Sequence, residues 1–168
     1  MPELDPSHIM QVGMGFFASK TLLSAVELGL FTELAKPPMT GVEIIKTLGL
    51  NPRAVPDFPD ALVALKFLER AGDGPDAHYS NTPESAMFLD RHSASYIGGI
   101  LEMANARLYL FWADLTEALK TGAPQNETKH SGEPMFAKLY DTPERLEAVH
   151  ERHVRSLGRK LQGLRSEI

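Results

Sequence analysis

The stretch at residues 18–34, ASKTLLSAVELGLFTEL, constrains this chain more than any other. Its Leu22, Leu23, Val26, Leu30 and Leu34 recur at the three-and-four spacing that lines one face of a helix. Glycine takes the left-handed conformation that closes a helix at no steric cost. The first helix is therefore expected to end at Gly29, and a second to restart at Phe31 and close at Lys36-Pro37-Pro38. Two short helices meeting at a corner make a seed against which later helices pack. No residue in the stretch carries chemistry, so it reads as a packing element.

Residues 7–17 hold Ile9, Met10, Val12, Met14, Phe16 and Phe17 and are apolar almost all round. Leaving two methionines and two adjacent phenylalanines in water is costly, so this piece is expected to be covered, either by a partner subunit or by the chain's own core. Met10, Met14, Phe16, Phe17, Leu22 and Val26 are the residues expected at an interface between two copies.

Downstream, Thr40-Gly41-Val42-Glu43 has the capping-box pattern, in which the Thr hydroxyl and the Glu carboxylate each satisfy a free backbone N–H. The helix it opens is expected to stop at Gly49. Asn51-Pro52 starts the next turn, and a helix follows with Phe58, Ala61, Leu62, Leu65 and Leu68 on one face, closed at Ala71-Gly72. Asp73-Gly74-Pro75 is turn chemistry and residues 77–80 form a short candidate strand. Helix, helix, helix and then a small hairpin is the order of a winged helix. Thr82-Pro83 caps a further short helix. Residues 95–120 form the longest periodic run, with a bend expected near Ala104-Asn105 and an end at Thr121-Gly122. A polar loop follows, then a turn opened by Pro134, then a last helix opened by Thr142-Pro143 whose apolar stripe also needs a partner.

Composition narrows the function classes. An apolar fraction of 43% and a charged fraction of 23% fit one globular, soluble domain, or one domain with an extension. No run of about 18 apolar residues occurs, so no membrane span is expected. The first ten residues lack the cationic start and greasy middle of a signal peptide. With no cysteine there are no disulfides, thiolate metal sites or cysteine nucleophiles, which fits a cytoplasmic location. A formal charge of -5 argues against general nucleic-acid binding, which needs a basic face.

The chemical motifs are mostly missing. No glycine-rich loop joins a strand to a helix; Gly98-Gly99 sits inside a helical run. His150 and His153 are three apart on a helix, but Arg152 and Arg155 are interleaved with them and no metal site is expected. Glu102 and Asp114 are expected on solvated helix faces. Met103, Phe111, Trp112 and Phe136 offer flat or soft apolar groups that make good walls for a planar ligand, although such a pattern on its own is core more often than pocket.

Taken together, ASKTLLSAVELGLFTEL, MTGVEIIKTLGL, PDALVALKFLERAGD, YSNTPES and YIGGILEMANARLYLFWADLTEALKTGAPQNETKH resemble the N-terminal dimerisation domain of bacterial O-methyltransferases that act on small molecules and depend on S-adenosylmethionine. LYDTPERLEAVHERH is similar to the helix that leads into their catalytic domain. The resemblance implies a mainly α fold with a winged-helix-like core, a small β-hairpin and long C-terminal helices. It divides the chain into a dimerisation domain at residues 1–92 and a substrate cap and linker at residues 93–168. It also implies a homodimer, or pairing with a separate catalytic subunit, in which each copy roofs its partner's site over a small aromatic or polyketide-like acceptor.

Under that resemblance Met103, Phe111, Trp112, Phe136 and His153 bind substrate, and no catalytic residue is assigned. S-adenosylmethionine and the catalytic chemistry belong to a Rossmann-like domain that is absent from this sequence, so the chain alone is not expected to transfer methyl groups. The sequence reads as a truncated piece, a degenerate paralogue or half of a split enzyme. Two other readings stay open. One is a stand-alone ligand-binding protein or non-methylating enzyme built on this scaffold, with His153 as the residue to watch. The other is a winged-helix DNA-binding regulator with a recognition helix at residues 59–70, where Arg53, Lys66 and Arg70 are offset by Asp57, Asp60 and Glu69.

Overall fold

The structure is a computed structural model that describes residues 4–126. The chain divides into two units, residues 1–110 and 111–168. The first holds α1 (Ser7–Gly13), α2 (Gly15–Glu27), α3 (Leu30–Glu33), β1 (Met39–Thr40), α4 (Gly41–Leu48), α5 (Asp57–Ala64), β2 (Leu68–Ala71), β3 (His78–Asn81), α6 (Pro83–Phe88) and α7 (Gly98–Met103). A π-helical segment, Ala104–Leu108, then runs into α8 (Tyr109–Ala113). In the second unit α9 (Leu115–Thr121) is closed by Gly122 at φ 68°.

The local signals act as their chemistry requires. Gly29 adopts φ 75° between α2 and α3, and Gly49 ends α4 at φ 64°. Thr40 Oγ1 accepts from the Glu43 backbone N–H at 3.3 Å, while the Glu43 carboxylate accepts from the Thr40 backbone N–H at 2.7 Å. Those bonds to the charged form hold the Glu43 carboxyl below the usual range. Asn51 accepts from the Arg53 N–H ahead of a single 3-10 turn, and Thr82 caps α6 with Pro83 at its first position.

The core of the first unit gathers Ala25, Val26, Leu30, Phe31 and Leu34 from the α2–α3 corner, Ile44 from α4, Leu62 from α5, and Leu68, Tyr79 and Leu89. The corner is thus the seed that its spacing predicted. The sheet has the order β1-β3-β2, all antiparallel. Three helical elements followed by the β2–β3 hairpin give the winged-helix-like core.

In four places the structure departs from the sequence reading. First, α5 stops at Ala64, and Leu68–Ala71 is a strand paired with β3. Lys66 turns the chain at φ 64°, and Phe67 N–H bonds back to Leu62 O at 2.9 Å, a helix ending normally built with glycine. Leu68 is buried either way, which is why helical spacing ran on through it. Second, β1 joins the hairpin as a third strand through Met39↔Tyr79 and Thr40↔His78, a two-residue pairing too short to leave a pattern. Third, Gly98 and Gly99 open α7 instead of lying within it.

Fourth, residues Ser7–Glu27 form a helical stretch of 21 residues that by length and composition could cross a membrane. Ser19, Lys20, Thr21 and Ser24 interrupt the stretch without making it polar on average, so it holds no unbroken apolar run. Its C-terminal half is committed to the protein's own core, with Leu23, Ala25 and Val26 buried.

Tyr79 makes the hairpin sensitive to alkali. Its ring is buried, and its hydroxyl donates to Asp60 Oδ1 at 2.8 Å. Burial first, and the carboxylate second, push the phenol above its ordinary value of 10.0. The folded state therefore holds this proton more tightly than the unfolded state does. Stability from it is complete below the unfolded value and is lost as pH rises through the folded one. In urea unfolding, the midpoint is expected to fall above pH 10 more steeply in the wild-type chain than in Tyr79→Phe.

Candidate functional site: an exposed apolar helix and a polar clamp on α2

Two features stand out on α2 and its surroundings. The first is apolar. None of the residues of α1 is buried, and Met10, Met14, Phe16 and Phe17 are all exposed, Phe17 by 62%. The Phe16 and Phe17 rings lie 4.2 Å apart, tilted by 31°. The backbone bends at Met14, so the predicted single apolar segment is two helices. Of the other residues expected at an interface, Leu22 is half-buried and packs against the core. Val26, only 3% exposed, lies inside the core of a single chain. The helix is thus rigidly anchored at one end and uncovered at the other.

The second feature is polar and lies between α2 and the α7–π segment. Lys20 Nζ donates to Asn105 Oδ1 at 2.5 Å, and Asn105 Nδ2 donates to Glu27 Oε2 at 2.6 Å. Lys20 Nζ also sits 5.5 Å from the centre of the Tyr109 ring, within range of a cation–π contact. Nearby, Arg91 donates to Glu102 Oε1 through Nη2 at 2.8 Å and through Nε at 3.2 Å. Tyr96 donates to the same oxygen at 3.0 Å. Arg91 Nη2 further reaches the Val26 carbonyl at 3.2 Å, so the guanidinium caps the C-terminal end of α2. Burial pushes the Tyr96 phenol up, and bonding to Glu102 pushes the Arg91 guanidinium up.

These groups hold helices together; they do not form a proton-transfer set. Among the described residues, no three His, Asp or Glu side chains come together to hold a metal ion. Glu102 lies on a partly exposed helix face and is ion-paired there with Arg91. On the winged-helix surface, Arg70 is paired with Asp60 at 3.2 Å and lies over the Tyr79 ring, so that cation is engaged within the fold.

Of the residues expected to bind substrate, Met103 ends α7 and is partly buried in the first unit. Phe111 is partly buried and Trp112 is 73% exposed, both in the second unit. Phe136 and His153 lie outside the described residues, as do the Pro134 turn and the last helix. Lys20, Glu27, Arg91, Tyr96 and Asn105 escaped sequence reading. The signal available was Lys20 and Glu27, seven apart on an otherwise uncharged helix, two charges on one face where a core-facing helix would have none.

A family model described as "O-methyltransferase dimerisation domain" matches residues 10–91. The chain is 46% identical over 120 residues to the tetracenomycin polyketide synthesis 8-O-methyl transferase TcmO of Streptomyces glaucescens, covering 71% of this chain and 34% of that protein. It is 35% identical over 148 residues to the N,N-dimethyltransferase OxyT of Streptomyces rimosus, covering 88% of this chain and 42% of that protein. The crystal structure of human N-acetylserotonin methyltransferase in complex with SAM superposes with a TM-score of 0.74 at 24% identity, covering 86% of this chain and 44% of that one. The chain therefore spans less than half the length of these relatives. With the family model, these relatives and the fold in agreement, residues 10–91 of the chain are a dimerisation domain of the O-methyltransferase family.

Proposed function

We propose that the chain is the dimerisation and substrate-cap region of an S-adenosylmethionine-dependent O-methyltransferase of secondary metabolism, acting in the cytoplasm on a small aromatic or polyketide-like acceptor. The observation that carries the reading is the uncovered apolar surface of α1 and the start of α2, presented by a helix whose other end is locked into the core. Residues 1–92 clasp a second copy through Met10, Met14, Phe16 and Phe17, with Leu22 at the edge of the contact. Residues 93–168 serve as the substrate cap and the linker. Met103, Phe111 and Trp112 supply its apolar walls, joined by Phe136 and His153 from beyond the described residues.

Methyl transfer needs the acceptor oxygen held in line with the sulfonium methyl, so a roof that orients the acceptor contributes through proximity. The cofactor site falls to a separate Rossmann-like domain, and this chain alone is not competent for transfer. The polyketide context named for TcmO supports the acceptor class.

Multi-angle light scattering on the 168-residue chain at micromolar concentration is expected to report twice the chain mass of 18.5 kDa. Calorimetry with S-adenosylmethionine is expected to show no heat of binding. A single compact copy would overturn the clasp, and tight cofactor binding would overturn the division of labour.

A further inference from the structure

Asn105 is 8% exposed, in a helix whose neighbouring faces are apolar or solvated. It sits where the α-helix gives way to a π-helical segment, Ala104–Leu108. There the Tyr109 N–H bonds to the Ala104 carbonyl five residues back, in place of the carbonyl four back. Such a turn holds one residue more than an α-turn, so Tyr109 and Leu110, which follow it in the first unit, are rotated by about 100° relative to an uninterrupted α-helix. A π-turn is rare, so the contacts made by its side chains bear on why it is kept.

Asn105 lies within the widened segment and bonds across to α2. Its oxygen takes the Lys20 ammonium and its nitrogen gives to the Glu27 carboxylate, spanning two charges two turns apart on α2. Lys20 in turn lies under the Tyr109 ring, the first residue after the widened turn. A primary amide offers the cation an acceptor and the anion a donor through two separate atoms at once.

We propose that Asn105 is a positioning residue whose amide, clamped between Lys20 and Glu27, holds the one-residue widening of the helix and so fixes the direction in which Tyr109 and Leu110 project. In a methyltransferase that uses this helix as a roof, Asn105 sets the helical phase of that roof without touching the acceptor. This consequence rests on the function proposed above; the phase-setting itself does not.

The test uses the full 168-residue chain. In the wild type, scalar coupling across the hydrogen bond should connect the Tyr109 amide nitrogen to the Ala104 carbonyl carbon in the NMR spectrum. Asn105→Leu keeps the volume and removes both bonds, and the coupling is expected to be lost and replaced by one to Asn105's own position, Leu in the variant. Persistence of the Ala104 coupling in Asn105→Leu would overturn the proposal. Deleting the exposed Ala106 removes the extra residue, so the deletion chain is expected to fold with Tyr109 still shifted by Lys20. An unfolded deletion chain would overturn the proposal too.

Should Asn105→Leu alone fail to fold, combining it with the Ala106 deletion is expected to restore a cooperative melt, since the amide is needed only where the wide turn exists. No gain in the double variant would sink the idea. A monomeric wild-type chain with the Ala104–Tyr109 coupling intact would reject the proposed function and leave the role of Asn105 standing.

Discussion

Under the proposed clasp, a chain carrying Phe17→Glu is expected to scatter light as a single copy at concentrations where the wild type pairs. In a two-fold dimer each substitution is felt twice, because the same patch is used on both sides. Full burial of a phenylalanine contributes about 1.5–3 kcal/mol, so losing two costs about 3–6 kcal/mol, or two to four powers of ten in Kd. The glutamates add the cost of removing a charge from water. Phe17 is mostly exposed in the single chain and packs against nothing in its core. The monomer should therefore keep its fold and its far-ultraviolet circular dichroism. Sedimentation equilibrium over a hundredfold range of concentration checks both statements. A Phe17→Glu chain that still pairs with wild-type affinity would place the clasp elsewhere. Met87, Phe88, Ile97 and Ile100 would then be the next exposed apolar group to examine.

The parts of the fold written as single residues with one conformational job were legible in the sequence. Gly29, Gly49 and Gly122 close helices through left-handed conformations, and Thr40 with Glu43 forms the capping box its spacing spells out. These signals are local, so no tertiary knowledge is needed to read them. The end of α5 was not legible because Lys66 does the work of a glycine, held in the left-handed region by the pairing of β2 with β3. Leu68 then continues a helical stripe by coincidence while belonging to a strand.

The π-segment was half legible. Ala104-Asn105 was expected to bend the helix, but the cause is a bond to residues 78 and 85 positions away, which no window of sequence contains. The candidate site follows the same division. Exposed methionines and phenylalanines announce an uncovered face by composition alone, whereas Arg91, Glu102 and Tyr96 gain meaning only once the fold brings them to the end of α2.

Phe31→Ala is expected to cost the first unit about 3–5 kcal/mol, the range for emptying a well-packed aromatic site. Phe31 is 1% exposed and sits in the centre of the core among Leu30, Leu34, Ile44 and Leu62. Its backbone carbonyl accepts from Asn81 Nδ2 at 2.8 Å, a bond the substitution leaves in place, so the loss comes from the missing ring alone. Against a total stability of about 5–15 kcal/mol for a domain, that is enough to leave part of the population unfolded at 37 °C. Phe17→Ala provides the contrast. Truncating an exposed side chain costs a monomer about 0.5 kcal/mol or less, so its effect should appear only through pairing. The Phe17→Ala deficit in melting temperature should therefore grow with protein concentration, because association stabilises the folded state by mass action. The intrinsic packing loss of Phe31→Ala, measured by urea unfolding at nanomolar concentration where both chains are single, should remain. Equal losses for the two variants under those conditions would mean that Phe17 is a core residue and that the apolar face of α1 and α2 is covered from within.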